Sequence, residues 1–296
     1  MPIYPGHLAQ SGNLITVDQA LNAPTVITER LAELIEPNLL VDKVFSGSGQ
    51  AVQGGGVIYS QITEKHLYTD IDVKDRAPGD EYPVVYSERP EPRLARVQDF
   101  GGKFAITDEA RRRNQSVDFD NDVTKLSNTI TRKLNQRAIE TLEAGLAALD
   151  DNGEVKGHSW GALNFEGTTG VTKSADRPTA DFAAAQLAAD KDDLGITYKL
   201  VLVNPAEKAA LATAYGKDLA DVLSSFDLEL FSSLHIPAGT AYMVDPGQVG
   251  FVDYEEQLTT TTWRDEEHRQ MWVQSYAMPV MGVTNPRAIR RITGIN

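Results

Sequence analysis

Apolar residues recur at steps of three or four from Phe119 to Leu149: Phe119, Val123, Leu126, Ile130, Leu134, Ala138, Leu142, Leu146 and Leu149. That spacing puts them on one face of an α-helix. Lys125, Thr129, Lys133, Gln136, Glu140 and Glu143 supply the opposite, solvated face, and no proline or glycine interrupts the run before Gly145. Asp118, Asp120 and Asp122 place negative charge where the helix dipole favours it, with Ser116 or Asp118 as the expected cap. Such a helix spans roughly 45 Å, well beyond the usual three turns. Taken alone, the stripe describes an ordinary long core helix.

Upstream, residues 1–23 are polar and carry no core pattern, so they read as an arm. Pro24 to Ile35 reads as a short helix with Val26, Ile27, Leu31, Leu34 and Ile35 on its apolar side, ended by Pro37. Leu39 to Phe45 reads as extended. Residues 46–93 open with Gly47, Gly49 and Gly54-Gly55-Gly56 and close with Pro83, Pro90 and Pro92. Two extended pieces, Val57 to Ile62 and Val84 to Tyr86, flank an acidic section carrying Asp70, Asp72, Asp75, Asp80 and Glu81. So long a stretch of weakly packed chain fits poorly inside a compact domain. A two-stranded arm that packs on a neighbouring molecule explains it better, because an isolated hairpin is marginal in water.

Leu94 to Thr107 reads as one strand, with Val97, Phe100, Phe104 and Ile106 as its larger apolar members and Gly101-Gly102 as a bulge. Thr107 caps a short helix that has Asp108 and Glu109 in its first turn and Arg111, Arg112 and Arg113 in its last. Beyond Leu149, Asp150 to Gly153 turns and residues 153–178 read as polar loop. Asp181 to Asp190 is helix, Tyr198 to Val203 a strand inside a sheet, and Asn204-Pro205-Ala206-Glu207 a well-formed helix start. Thr240 to Val244 and Val249 to Tyr254 read as further strands of a small α/β domain. Leu258, Thr260 and Thr262 alternate as strand, Arg264 to Glu267 turns, and Gln270 to Met278 returns. That hairpin is the expected partner of the Leu94–Thr107 strand, and Ala288 to Ile295 closes the chain as a last strand.

Composition narrows the function. The 296 residues are 41% hydrophobic and 24% charged, which fits a folded protein of about two domains. No apolar run approaches the roughly 20 residues of a membrane helix, and Met1 to Pro5 lacks the layout of a secretory signal. Zero cysteines exclude disulfides, thiolate metal sites and cysteine nucleophiles. A net charge of −14 argues against a tight, general grip on nucleic acid, which needs clustered Lys and Arg. The local basic clusters, Arg111 to Arg113 and Arg287 with Arg290 and Arg291, read as helix ends or subunit contacts.

Motif spellings add little chemistry. Gly157-His158-Ser159-Trp160-Gly161 spells the G-x-S-x-G elbow of serine hydrolases, but its flanks lack the strand before and the helix after that present the hydroxyl. Gly54 to Gly56 has no following Lys-Ser/Thr, so it is no phosphate loop. Asp118, Asp120 and Asp122 imitate the opening of a calcium loop, with Val123 at the turn glycine and Thr129 at the bidentate glutamate. His7, His66, His158, His235 and His268 never pair at metal-ligand spacing. Glu255-Glu256 and Asp265 to Glu267 read as solvated turns. No catalytic, cofactor or metal site is expected.

The order of parts is arm, short helix, glycine-started extended loop, strand, long helix, inserted α/β domain, return hairpin and closing strand. It resembles the major capsid protein of tailed bacteriophages, the α+β Hong Kong 97-type capsid fold, along essentially the whole chain. Leu200-Val201-Leu202-Val203-Asn204-Pro205 entering a helix and Gly282-Val283-Thr284-Asn285-Pro286-Arg287-Ala288-Ile289 are the local likenesses. The resemblance implies an N-terminal arm with short helix (1–45), an extended loop lying across an adjacent subunit (46–93), and a peripheral domain with its spine helix (94–150). It further implies an axial domain (151–255), a return hairpin of the peripheral domain (256–281) and a C-terminal strand returning to the axial domain (282–296).

The implied function is structural. Pentamers and hexamers form an icosahedral shell around double-stranded DNA, held without tight sequence-specific binding, in a virion assembled in the host cytoplasm. About 20 polar residues precede the first helix, so a separate scaffolding protein or an independent route to assembly is expected, with a portal protein as a further partner, a decoration protein as an optional one and no membrane. Lys65 and Lys74 lie in the loop without an identified asparagine or glutamate partner, so no covalent crosslinking is expected. Asp70, Asp72, Asp75, Asp80 and Glu81 are expected to meet Arg111, Arg112 and Arg113 of a neighbour. An encapsulin-type compartment shell is the rival reading, and a serine hydrolase built on Ser159 a remote one.

Overall fold

A computed structural model describes residues 9–10, 13–14, 17–49, 51–62, 73–84, 90–113, 115–165 and 169–296. Two short strands, β1 (Ala9–Gln10) and β2 (Asn13–Leu14), pair antiparallel. The arm is not wholly without a core pattern, because α1 (Val17–Asn22) buries Val17, Ala20 and Leu21. Next, α2 (Pro24–Ile35) forms where its apolar spacing placed it, burying Ile27, Leu31 and Ile35. Pro24 in its first turn lacks an N–H that would have no partner there. The expected extended piece at Leu39–Phe45 is instead helical, as α3 (Val41–Val44). Asn135 gives the reason: its Oδ1 accepts from the Leu40 N–H at 2.8 Å, and its Nδ2 donates to the Asn38 carbonyl at 2.8 Å. Tertiary pinning of the backbone outweighs the strand preference of the β-branched residues.

The hairpin of the extended loop consists of β3 (Gly56–Ser60) and β4 (Pro92–Arg96). Its return strand therefore lies at 92–96 rather than at Val84–Tyr86; Val84 is in no strand, and residues 85–89 fall outside the described chain. The expected single strand Leu94–Thr107 is two, with β5 (Phe100–Thr107) in a different sheet from β4. The Thr107 hydroxyl accepts from the Ala110 N–H at 3.3 Å and so caps α4 (Asp108–Arg112). The long helix, α5 (Ser116–Leu146), has 31 residues. Gln115, and not Ser116 or Asp118, occupies its cap position, without a side-chain hydrogen bond. Leu149 lies in the turn beyond its end and is still buried.

After the turn, β6 (Glu154–Lys156) breaks what reads in the sequence as loop. There follow α6 (Pro178–Lys191), β7 (Leu200–Val203), α7 (Pro205–Tyr215), α8 (Leu219–Ser225), β8 (Glu229–Ser232) and β9 (Thr240–Val244). Asn204 caps α7 by accepting the Ala206 N–H at 3.1 Å. A long hairpin of β10 (Gly250–Asp265) and β11 (Gln270–Val283) comes next, and β12 (Ile289–Thr293) closes the chain. The strands expected separately at Val249–Tyr254 and Leu258–Thr262 are one strand, β10, with register shifts between Tyr254 and Thr259. It runs across the boundary expected at residue 255.

Two sheets organise these elements. One is antiparallel, ordered β10-β11-β5; the other has five strands, ordered β6-β12-β9-β7-β8, with β6–β12 and β7–β8 parallel. Gly101 and Gly102 pair in unbroken register with Tyr276 and Ser275, so there is no bulge. They are glycines because of close approach. A Cβ on Gly101 would lie 2.5 Å from the Ser275 carbonyl oxygen, and one on Gly102 2.7 Å from Leu126 Cδ1 of α5. The helix thus rides directly on β5, with Phe119 edge-to-face on Phe104 at 6.0 Å.

Its stripe (Phe119, Val123, Ile130, Leu134, Ala138, Leu142 and Leu146) forms one core with α2, α3 and the antiparallel sheet. The four residues of β7 split by parity: Leu200 and Leu202 join that core, while Val201 and Val203 join a second one with Trp160, Phe182 and Tyr198. A strand covered on both faces reads as an unbroken apolar run, which is how Leu200–Val203 looks in the sequence.

Ile130 is 3% exposed in this core. Ile130→Asp is expected to destabilise the chain by at least about 3 kcal/mol, since it buries a carboxylate with no partner. Urea unfolding of the unassembled protein measures this; an unchanged midpoint would contradict the seating of the helix.

Candidate assembly surfaces

The base of the extended loop is fastened to the body of the molecule. Tyr59 packs edge-to-face on Phe251 at 5.4 Å, the Ile62 N–H donates to the Thr284 carbonyl at 2.8 Å, and Val52, Ala95, Phe251 and Val280 form a small apolar cluster. Its outer parts are not covered. Ile58 and Leu94 are direct cross-strand partners, and both face solvent, Ile58 at 74%. Val73 (79% exposed), Tyr82 and Val84 are likewise open. Adjoining exposed apolar side chains, as at Ile58 and Leu94, are the mark of an interaction surface. On the same segment Asp75, Asp80 and Glu81 are exposed, while Asp70 and Asp72 lie outside the described residues. Arg76 orders the segment locally, donating from Nη1 to the Asp80 carbonyl at 2.7 Å and stacking over Tyr82 at 4.7 Å.

The three arginines proposed as partners of those acids differ in their engagement. Arg111 pairs within its own chain, Nε to Asp18 of α1 at 2.6 Å. Arg112 and Arg113 are exposed. Behind them Arg264 forks onto Asp108, with Nη2 at 2.9 Å from Oδ2, and this hydrogen bond holds the Asp108 carboxyl below the usual carboxylate range. A second basic group has no signature in the sequence. Arg93 and Arg96 of β4 join Arg137 of α5, with Gln61 and Glu140, around a cleft of about 300 Å³ between the hairpin base and the helix. Arg137 stacks on the Phe100 ring at 5.0 Å. Only the packing of the hairpin against the helix brings these three arginines together.

The carboxyl-terminal basic cluster is largely internal: Arg287 lies in a short 3-10 turn (Pro286–Ala288), and Arg287 and Arg290 are buried. Arg290 is 3% exposed, and its Nη1 and Nη2 lie 2.8 Å from Asp151 Oδ2 and 2.8 Å from Asp192 Oδ2. The buried Arg287 shares Asp192, and Arg291 Nη1 reaches Glu143 Oε2 at 2.8 Å. Glu143 was expected on the wet face of the helix. It is half-buried and also accepts from the Tyr242 hydroxyl of β9. Burial, with that hydrogen bond, pushes the Tyr242 phenol well above its ordinary value. Gly145 allows the same close fit, since a Cβ there would meet Val283 Cβ at 2.8 Å. The last turn of α5 is therefore joined to the five-stranded sheet by charge at Glu143 and packed closely on β11 of the antiparallel sheet at Gly145.

The Gly157–Gly161 segment has no elbow geometry. A three-residue edge strand precedes it and a turn follows. His158 Nδ1 lies 2.7 Å from the carboxylate of the buried Asp181, and Trp160 Nε1 donates to it at 2.8 Å, so the segment pins a loop onto α6. Asp118, Asp120 and Asp122 lie within α5 and form no loop. Glu256 is not in a turn but in β10, where it accepts from the Tyr276 hydroxyl at 2.8 Å. Among the described residues no group of three His, Asp or Glu side chains is placed to hold a metal, and no helix is long and apolar enough to cross a membrane.

The molecule thus combines a helix-on-sheet body, a clamped α/β unit and a projecting hairpin with uncovered apolar residues. Residues 90–292, more than half of the chain, match the family described as phage capsid protein, and the chain belongs to that family. No curated protein matches it. Among solved structures it is similar to a phage-related protein from Bordetella bronchiseptica, at 12% identity over 91% of this chain and 96% of that one, with a TM-score of 0.59. The capsid of cyanophage P-SCSP1u matches at 12% identity over 100% and 93% of the two chains (TM-score 0.57). A virus-like particle from Pyrococcus furiosus matches at 12% identity over 90% and 97% (TM-score 0.52). The fold is the Hong Kong 97-type capsid fold, and the protein is a structural component of a bacteriophage capsid.

Asp192 is the shared carboxylate of the clamp. Asp192→Ala leaves two buried guanidiniums without it and is expected to cost about 3–5 kcal/mol of stability. A loss below about 1 kcal/mol in urea unfolding, the range of exposed pairs, would contradict a structural role for the clamp.

Proposed function

We propose that this chain is the major capsid subunit, assembling as pentamers and hexamers into an icosahedral shell around double-stranded DNA. The observation that carries this reading is the uncovered apolar segment at Val73, Tyr82 and Val84 on a loop whose base is firmly packed. The described residues of its own chain offer these side chains no core, so the loop lies across a neighbouring subunit. Such a contact joins two different patches, and head-to-tail contacts of that kind close into rings. Asp75, Asp80 and Glu81, with Asp70 and Asp72, face basic residues of the neighbour, Arg112 and Arg113 foremost because Arg111 is engaged by Asp18. Each such rim pair is worth about 0–1 kcal/mol, and repetition across a shell multiplies it.

In this reading the subunit assembles in the host cytoplasm with a separate scaffolding protein, a portal protein and a decoration protein, and resides in the virion. DNA is confined by the shell and not gripped sequence-specifically, in keeping with a net charge of −14. The likeness to the Pyrococcus furiosus particle supports a second reading, an encapsulin-type cellular compartment. Enzyme cargo copurifying in place of DNA would favour it.

Negative-stain microscopy of the purified protein is expected to show shells or capsomers. Deletion of residues 73–84 is expected to leave a folded chain that no longer assembles, and Arg112→Glu to make assembly more sensitive to salt. Small monomers from the intact chain, or shells from the deletion variant, would contradict the proposal.

A further inference from the structure

Between α5 and the β7–β8 edge of the five-stranded sheet lies a trough of about 650 Å³. Three basic side chains line it: Arg132 from α5, Lys208 from α7 and His235 from the loop after β8. No carboxylate lines it, and none of the three has a carboxylate partner among the described residues. Glu229, on the same strand as one wall, is held by Lys43 at 2.8 Å. Of the other polar lining, Thr131 and Asn135 donate to the Ser127 and Asn38 carbonyls, while the Asn128 amide and the Ser232 hydroxyl can donate into the trough, and Pro205 brings the positive end of an 11-residue helix to the rim. Unpaired cations gathered in one concavity are unexpected in a chain of net charge −14 unless an anion belongs there.

We propose that this trough binds phosphate groups, and that in the assembled shell, a step that rests on the capsid reading, those groups belong to the DNA backbone. The site offers more positive charge than a single carboxylate needs, and spreads it along a groove as a phosphodiester chain requires. Neutralising two or three phosphates gives log K a slope of about −2 to −3 against log salt, a weak contact that holds DNA only at shell concentrations. It therefore coexists with the absence of tight binding.

His235 reports on occupancy. Burial first, then the neighbouring Arg132 charge, lowers its pKa from the ordinary histidine value. Lys208 lines the same trough from α7, and no carboxylate lines it to offset either cation. A bound phosphate favours the imidazolium and raises the pKa, so binding tightens as pH falls through the His235 midpoint.

The test follows the His235 imidazole by NMR in the unassembled full-length chain, with inorganic phosphate, a short DNA duplex, acetate, or chloride at matched ionic strength. Phosphate and the duplex are expected to raise the midpoint and chloride to leave it unmoved. Arg132→Ala and Lys208→Ala are each expected to weaken phosphate binding by about threefold or more, the loss of one charge-assisted contact. His235→Gln is expected to keep binding while removing its pH dependence.

A midpoint unmoved by both phosphate and the duplex overturns the site. A response to phosphate but not to the duplex overturns the nucleic-acid assignment. If acetate acts as strongly as phosphate, the trough is instead a seat for a neighbouring copy's carboxylate, with the exposed Leu234 at its rim as the apolar contact, and the proposal fails. Shell formation by the two alanine variants, expected at wild-type levels under the microscope, separates failure of the trough from failure of the capsid reading.

Discussion

The seating of one long helix on one narrow sheet is the constraint on which the other features depend. Over its 31 residues α5 meets β5 at its amino-terminal half, α2 and α3 along its middle and the five-stranded sheet at its end. Close approach at both ends is set by missing side chains: Gly102 beneath Leu126 and Gly145 against Val283. Where the backbone comes this near, one methyl group displaces the helix axis, and every surface attached to it moves as well. A shell repeats each subunit contact many times, so a body that held its angles loosely would not close.

Rigidity at the far end comes from charge. Glu143, Asp151 and Asp192 face Arg287, Arg290 and Arg291 around the junction of helix and sheet. Burying charges is costly, and removing one member is worse than never having had the set, so such a cluster enforces one arrangement. Packing alone, by apolar surfaces that slide, would leave the relative angle less sharply defined. The two cores meet at β7, whose alternating residues serve both. Clamp and shared strand together make the α/β unit an extension of the helix instead of a tethered domain.

Much of this was legible in the sequence because it rests on local periodicity. The stripe from Phe119 to Leu146, the helix at Pro24–Ile35 and the Asn204-Pro205 start each need only near neighbours to be recognised. The misreadings share a cause as well. Leu39–Phe45 is helical because Asn135, nearly a hundred residues away, takes its backbone groups. Gly101-Gly102 serves close approach where a bulge was expected, since the groups that exclude side chains there, β11 at Gly101 and α5 at Gly102, are brought near only by folding. Arg290 reads in the sequence as a helix end or subunit contact because its partners Asp151 and Asp192 lie far upstream. The same holds for surfaces: the acids of the loop form a visible run, whereas Arg93, Arg96 and Arg137, or Arg132, Lys208 and His235, are gathered only by folding.

The central claim is that the segment around Val73 to Val84 is a loose end in one molecule and a packed element between two. Hydrogen exchange of its backbone amides, compared between the unassembled chain and assembled particles, tests this most directly. The account predicts rapid exchange in the free subunit and strong protection after assembly, in this segment above all others. Equal exchange in the two states, with particles formed, would show that the shell closes through other surfaces and would contradict the account.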